Sequence, residues 1–494
     1  MRSAAAGLRT RRILVVVCGL ASLWTALLLV TGGFLVHIGS LRISSQAPLP
    51  SLVVALAAGL AAWAISLTRG DAEPAASTPR ERVRRVALLT LLILGLSVLA
   101  LTQPAPPTDV NNCAFVNEMG QGMRHILNCD AVEYLALAHT PSMVLTPEHP
   151  YRQSRPLSFM VPYLVARPLQ VFSWLNDHGI YPPYGPEFAA FALINLVVLV
   201  VTMLCFITLM RMARTGIPPG IELLFALIVL GANDVTKIFF WSPHSQIYNL
   251  FVPCVTMYVI IRMLSAGRAL SLRNAVLLGA AIGTGLLMYG SFSVLLICAC
   301  ATQLLAYRKI VVPFLIGATA VAVYAAWVVY VRLTAGFFYS YETEMFRQFI
   351  WLIDCYKTGA DACVPLLQQN AWLTLDMLAK MTMVPLALIV AVRVARWVWT
   401  RDGNAAAPVN RHVAAAVAGS IVVAATLLLL MGRSYNMPRL FWVLIPPLLL
   451  VLVIELQQLR AALTVRGQRA LAGIVFSAAL VHLLIFALRQ GPYQ

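Results

Sequence analysis

Charge is scarce in this chain of 494 residues: Asp and Glu together number 19, and only 11% of residues are charged. A soluble protein of this size carries roughly 25%, so a water-facing globular body is excluded. Neither a GxxxxGK[ST] loop, an internal repeat nor a low-complexity tract is present, and no His or Cys spacing suits zinc. What the chain has instead is apolar sequence, 60% of its residues, with a mean hydropathy of +0.81. That composition describes an all-α polytopic membrane protein.

A helix needs about 20 apolar residues to cross a ~30 Å hydrocarbon core. Runs of about that length or somewhat shorter lie near 14–36, 49–67, 86–102, 188–210, 220–233, 247–263, 274–289, 291–306, 311–331, 381–398, 413–431, 438–456 and 470–488, which predicts about 13 spans. The first follows the basic MRSAAAGLRTRR and lacks a small-residue cleavage site, so it reads as an uncleaved anchor. With the amino terminus inside, the loops on that side carry most of the Lys and Arg, and the outer side is close to neutral. The net charge of +17 is then a topological charge facing the cytoplasm. Nucleic acid is not needed to explain it. The reading divides the chain into an amino-terminal two-span unit with a polar linker (1–85), a core with outer loops 103–187 and 332–380 (86–380), and carboxyl-terminal helices (381–494).

Cysteine is sparse as well. Five of the nine cysteines lie in apolar runs, and the other four form close pairs in the outer loops, Cys113 with Cys129 and Cys355 with Cys363. Even pairs on the oxidising side of a membrane predict two disulfides, with free thiols or a metal as the alternatives. The inner loops are too short for a nucleotide-binding domain, so an activated substrate has to arrive within the membrane or from outside. The sequence past the last run is short, which points weakly to a glycan or lipid acceptor rather than a protein.

Acids are rare enough that CDAVEYLALA (129–138) stands out. This stretch has good helix propensity, and on a helix Asp130, Glu133 and Tyr134 share one face. Asp130 is suited either to capping that helix or to acting as a general base. Shortly after it, YRQSRPL places Arg152 and Arg155 where two guanidiniums could grip a phosphate. The segment 159–176 reads as an amphipathic interfacial helix.

This pattern, Asp130, Tyr134 and Ala138 followed by Arg155-Pro156-Leu157, resembles the first external loop of polytopic glycosyltransferases of the GT-C class, especially protein O-mannosyltransferases and lipid A aminoarabinose transferases. Ala131 stands where those proteins carry a second acid. GRSYNMPRLFWVLIPPLLLVL (432–452) resembles their late Arg-x-x-x-Pro-x-x-Pro element, with Arg433 and Arg439 facing outward; anchoring of a span end is the alternative for both. The resemblance implies an inverting transfer of a sugar from a polyprenyl-phosphate donor to a glycan or lipid acceptor. It further implies a periplasmic site on a bacterial inner membrane, in contact with membrane lipids. Asp130 would be the base, with Glu133 beside it to position an acceptor or a divalent metal. Arg155, with Arg152 or Arg439, would clamp the phosphate, and Tyr134 would line the site. The resemblance fixes no cofactor and leaves a divalent metal open. The outer turn NDVTKIFFWSPHSQIYN (233–249) offers Lys237 and His244 as further contacts, or else forms an interfacial belt. An O-antigen polymerase or ligase and a transporter or flippase remain alternative readings. The scarcity of ionisable residues inside the runs disfavours transport.

Overall fold

The computed structural model describes residues 10, 13–22, 24–25, 34–38, 41–45, 48–68, 79–101, 114–118, 124–148, 150–172, 175, 184–213, 220–344, 347–399, 409–432 and 438–488. Helices dominate, as they must where lipid offers no partner for backbone N–H and C=O groups. In chain order they are α1 (Ile13–Ser22), α2 (Pro48–Thr68), α3 (Pro79–Leu101), α4 (Cys129–His139), α5 (Leu157–Leu169) and α6 (Gly185–Met212). There follow α7 (Ile221–Gly231), α8 (Asp234–Phe239), α9 (Tyr248–Ser265), α10 (Leu272–Met288), α11 (Phe292–Tyr307) and α12 (Val311–Ala335). The last are α13 (Tyr341–Glu344), α14 (Ile350–Thr358), α15 (Ala360–Trp399), α16 (Arg411–Met431), α17 (Pro438–Ala462) and α18 (Val465–Leu488).

Eight of these helices are long and apolar enough to cross a membrane, which makes the chain an integral membrane protein: the 83–101 part of α3, α6, α9, α12, the 363–399 part of α15, α16, α17 and α18. The other five expected spans fall on shorter apolar helices, α1, α2, α7, α10 and α11. Two differences from expectation concern boundaries. The run 14–36 is not helical throughout, because Phe34–Ile38 (β1) pairs antiparallel with Leu41–Ser45 (β2). The β-branched and aromatic residues of FLVHI suit an extended strand. Upstream of the site, Ala114–Glu118 (β3) pairs with Arg124–Asn128 (β4). After α14, α15 continues for 40 residues, beginning well before the expected span near 381–398.

Burial ranks the helices. The apolar window of α17 is 89% buried, against 17% for α12 and 11% for α15. Thus α17 is the central post and the other two stand at the periphery. Its neighbours α3, α6, α7, α9, α16 and α18 share one apolar core with it, including Leu96, Phe206, Leu227, Met257, Ala416 and Leu450. A smaller cluster of Tyr134, Leu135, Val144, Phe159 and Phe191 seats α4 against α5 and α6. Where α10 crosses α12, Gly279 and Gly283 let the backbones touch: a Cβ at these positions would lie 2.5 Å from the Ile316 carbonyl and 2.7 Å from that of Ala320. Small residues spaced by four are the usual means of such an approach.

The close crossing is testable. Gly283→Leu should overpack it and lower the thermal midpoint in lipid nanodiscs, by the equivalent of roughly 1–3 kcal/mol. Gly317→Leu on α12, where a Cβ meets nothing within 4 Å, should leave the midpoint near wild type. Equal behaviour of the two variants contradicts the packing.

Candidate active site

Helix α4 starts directly after β4 and presents Asp130 in its first turn and Glu133 one turn later. A 3-10 turn at Pro150–Arg152 returns Arg152 to that face. Its Nη2 lies 2.8 Å from Asp130 Oδ1, and its Nε lies 3.1 Å from Glu133 Oε2. The guanidinium is only 5% exposed and is sandwiched by the rings of Tyr134 at 4.8 Å and Tyr341 at 5.4 Å. A cation this deep is stable only among such partners.

The loop after α8 adds His244, whose Nε2 is 3.4 Å from Asp130 Oδ2. Its ring is wedged between Phe239 and Tyr134. His244 Nδ1 and the Tyr134 hydroxyl are buried without a hydrogen-bond partner among the described residues. Arg439, at the start of α17, lies over Phe239 at 5.4 Å. Its carbonyl accepts from Asn249 Nδ2 at 3.0 Å. The same Asn249 amide reaches Gln246 and Tyr289, and the Tyr289 hydroxyl donates to Gln246 Oε1 at 2.6 Å.

Arg155 sits just before α5, over the Tyr289 ring at 5.0 Å. Its Nη2 is 2.6 Å from Glu342 Oε1 in α13, and Ser154 Oγ donates to Glu342 Oε2 at 2.8 Å. Gln153 ties the same two segments: its Oε1 accepts from Tyr339 N at 2.7 Å, and its carbonyl accepts from Trp327 Nε1 at 2.6 Å.

Electrostatics follow from these contacts. Burial alone would raise the Asp130 carboxyl, but the His244 hydrogen bond and the Arg152 charge outweigh it and hold the group well below the ordinary carboxylate range. Glu342 is likewise pushed up by burial and brought below its ordinary value, chiefly by Arg155. Burial drives His244 down to about 4 despite the Asp130 hydrogen bond. At neutral pH the site therefore presents an ionised Asp130 accepting from a neutral imidazole.

Beside this cluster lies a cavity of about 370 Å³. Ser154, Arg155, Asn249, Tyr289, Ser291 and Glu342 line its polar part. The rest is apolar, with Leu286, Val294, Leu427, Leu428, Met431 and Val443 from α10, α11, α16 and α17. Its two-part lining matches an amphiphile with an anionic head.

Not every residue read from the sequence comes here. Lys237 turns away, donating to the Phe486 carbonyl of α18 at 2.6 Å, and so is corrected from substrate contact to helix-end partner. Arg433, Cys113 and the Cys129 side chain lie outside the described residues. The register Ala114↔Asn128 pairs the sequence neighbours of those two cysteines. The Cys355–Cys363 disulfide is formed and joins α14 to α15. Trp351 of α14 is buried, with its Nε1 donating to the Leu430 carbonyl at 2.9 Å. The reading missed Glu342, Gln153, Ser154, Asn249 and Tyr289 as site residues. Among the described residues no three His, Cys, Asp or Glu side chains gather as metal ligands, and Asp130 and Glu133 both face a guanidinium. Comparison with protein-family models, curated proteins and solved structures finds no match, so the interpretation rests on residues and geometry.

Two outcomes are expected. Removing Arg152 alone strands two carboxylates, so Arg152→Met should cost roughly 3 kcal/mol or more. Adding Asp130→Asn and Glu133→Gln should recover part of the loss, and no recovery in the triple variant contradicts the ion cluster. Between about pH 6.5 and about 4, the unfolded chain binds a proton at residue 244 that the folded chain does not, facing as it does Asp130, Arg152 and Arg439. Stability contributed by neutral His244 is thus complete above that window and falls as pH falls through it. Wild type should lose more melting temperature between pH 7 and 4.5 than His244→Asn; equal slopes contradict the assignment.

Proposed function

We propose that this chain is an inverting glycosyltransferase that moves a sugar from a polyprenyl-phosphate donor to a glycan or lipid acceptor, at the outer face of a bacterial inner membrane. The observation that carries this reading is the cavity joining the Arg155 guanidinium to an apolar slot between α10, α11 and α16, next to the Asp130–Arg152–His244 cluster. A lipid-linked sugar phosphate has the matching parts: an isoprenoid stem, one anionic phosphate and an anomeric carbon beyond it.

The residues divide the work. Arg155, with Arg439 and Arg152 close by, holds the phosphate and stabilises the charge that develops as the anomeric C–O bond breaks. An acceptor hydroxyl attacks the opposite face of that carbon, and the phosphate leaves on the lipid with the bonding electrons. Asp130 takes the hydroxyl proton and later releases it to water. A carboxylate held so far below its ordinary range is a weak base toward a free alcohol. It suffices late in the transfer, when the new bond to an oxocarbenium-like carbon has made the hydroxyl strongly acidic. His244 aims Asp130 by its Nε2–H. Glu133 is engaged by Arg152, and the step proposed is a single inverting displacement without a covalent intermediate.

The test compares surface glycans of source cells lacking the protein with cells complemented by wild type or Asp130→Asn. Deletion should remove a sugar, wild type should restore it, and Asp130→Asn should lower transfer by about 10²–10⁴-fold at equal protein abundance. Full restoration by Asp130→Asn sinks its role as base, and unchanged glycans on deletion sink the enzyme reading.

A further inference from the structure

Glu342 holds the position that a donor phosphate needs. One carboxylate oxygen is on Arg155 Nη2 at 2.6 Å, and the other accepts from Ser154 Oγ at 2.8 Å and faces Ser340 Oγ at 3.4 Å. A carboxylate and a phosphate present their oxygens to a guanidinium in the same paired fashion. Arg155, Ser154, Ser340 and Glu342 all line the polar part of the cavity.

Charge makes the two anions exclusive. The cluster contains Arg152, Arg155 and Arg439 against Asp130, Glu133 and Glu342, a balanced set. A phosphate added to it would leave at least one negative charge uncompensated in a largely buried site, which is unfavourable. Exchange for Glu342 keeps the balance. The carboxylate is also the member of the set best able to leave. It rides on the four-residue α13, and the backbone on either side passes through left-handed conformations at Gly336 (φ +80°), Arg347 (φ +53°) and Phe349 (φ +62°). For Arg and Phe that conformation is unfavourable and persists only while surrounding contacts hold it.

We propose that Glu342 is a built-in competitor of the lipid phosphate, occupying Arg155 until the donor displaces it and thereby setting donor affinity. The inference rests on the donor-site reading above. It makes α13, from the second outer segment, the regulator of a phosphate site whose Arg155 comes from the first.

The experiment measures binding of farnesyl phosphate to the full chain in nanodiscs by native mass spectrometry, with farnesol as the control lacking the anion. Glu342→Gln removes the charge at nearly constant size and should tighten farnesyl phosphate binding about tenfold or more, while farnesol is unaffected. Glu342→Asp, a carboxylate too short to reach, should tighten it in the same direction. Glu344→Gln, an equal change of charge on the same helix but outside the cavity, should leave it unchanged. Arg155→Gln should abolish the preference for the phosphate. If both Glu342 variants bind no tighter than wild type while Arg155→Gln loses binding, the donor site stands and the competition is wrong. An equal gain from Glu344→Gln also overturns it, as a general field effect. If Arg155→Gln binds like wild type, or wild type shows no preference for the phosphate, the donor-site reading fails and takes the competitor with it.

Discussion

The Arg152 guanidinium, 5% exposed between Asp130 and Glu133, is the constraint on which the candidate site depends. Burying that cation without partners would cost several kcal/mol, so α4 has to present both carboxylates on one face and the 3-10 turn has to bring Arg152 back to them. Once it is there, its chain neighbours are placed as well. Gln153 bonds to the backbone of 339 and to Trp327, and Ser154 and Arg155 meet Glu342. One buried charge thus sets the register between two segments far apart in sequence.

The membrane frame supplies the other half of the site. The central post α17 begins with Arg439 and is buried along almost its whole apolar window, so the Arg439 carbonyl is fixed relative to α9 through Asn249. Helices α10, α11 and α16 then wall an apolar slot that ends at Arg155. The Arg155 end of the slot is polar, and the rest of its lining is apolar.

Much of this was legible in the sequence, for identifiable reasons. Apolar runs located the eight helices long and apolar enough to cross a membrane, because hydropathy acts within a single segment. Asp130, Glu133 and Tyr134 were grouped because helical periodicity is local, and Arg152 and Arg155 stood out because charge is rare. Glu342 was passed over as part of an aromatic stretch, GFFYSYETEMF, since its meaning lies in a partner 188 residues from it, Ser154, and in adjacent Arg155. Lys237 was misplaced for the same reason in reverse: its amine answers the carbonyl end of α18, and no local pattern says that α18 packs there. The start of β1, residues 34–36, was absorbed into the run 14–36 because strand and helix share the same apolar residues over short lengths. Local signals therefore recovered the frame and one side of the site, and long-range ion pairs supplied what closes it.

The central claim is that one lipid phosphate on Arg155 stands within reach of Asp130. An electron cryomicroscopy map of the full chain in nanodiscs with farnesyl phosphate added would test it most directly. The account predicts phosphate density against Arg155 and Ser154, the isoprenoid along Leu286, Leu427 and Val443, and Asp130 still paired with Arg152 beside it. Phosphate density elsewhere on the protein, with the Arg155 slot filled by its own side chains, would contradict it.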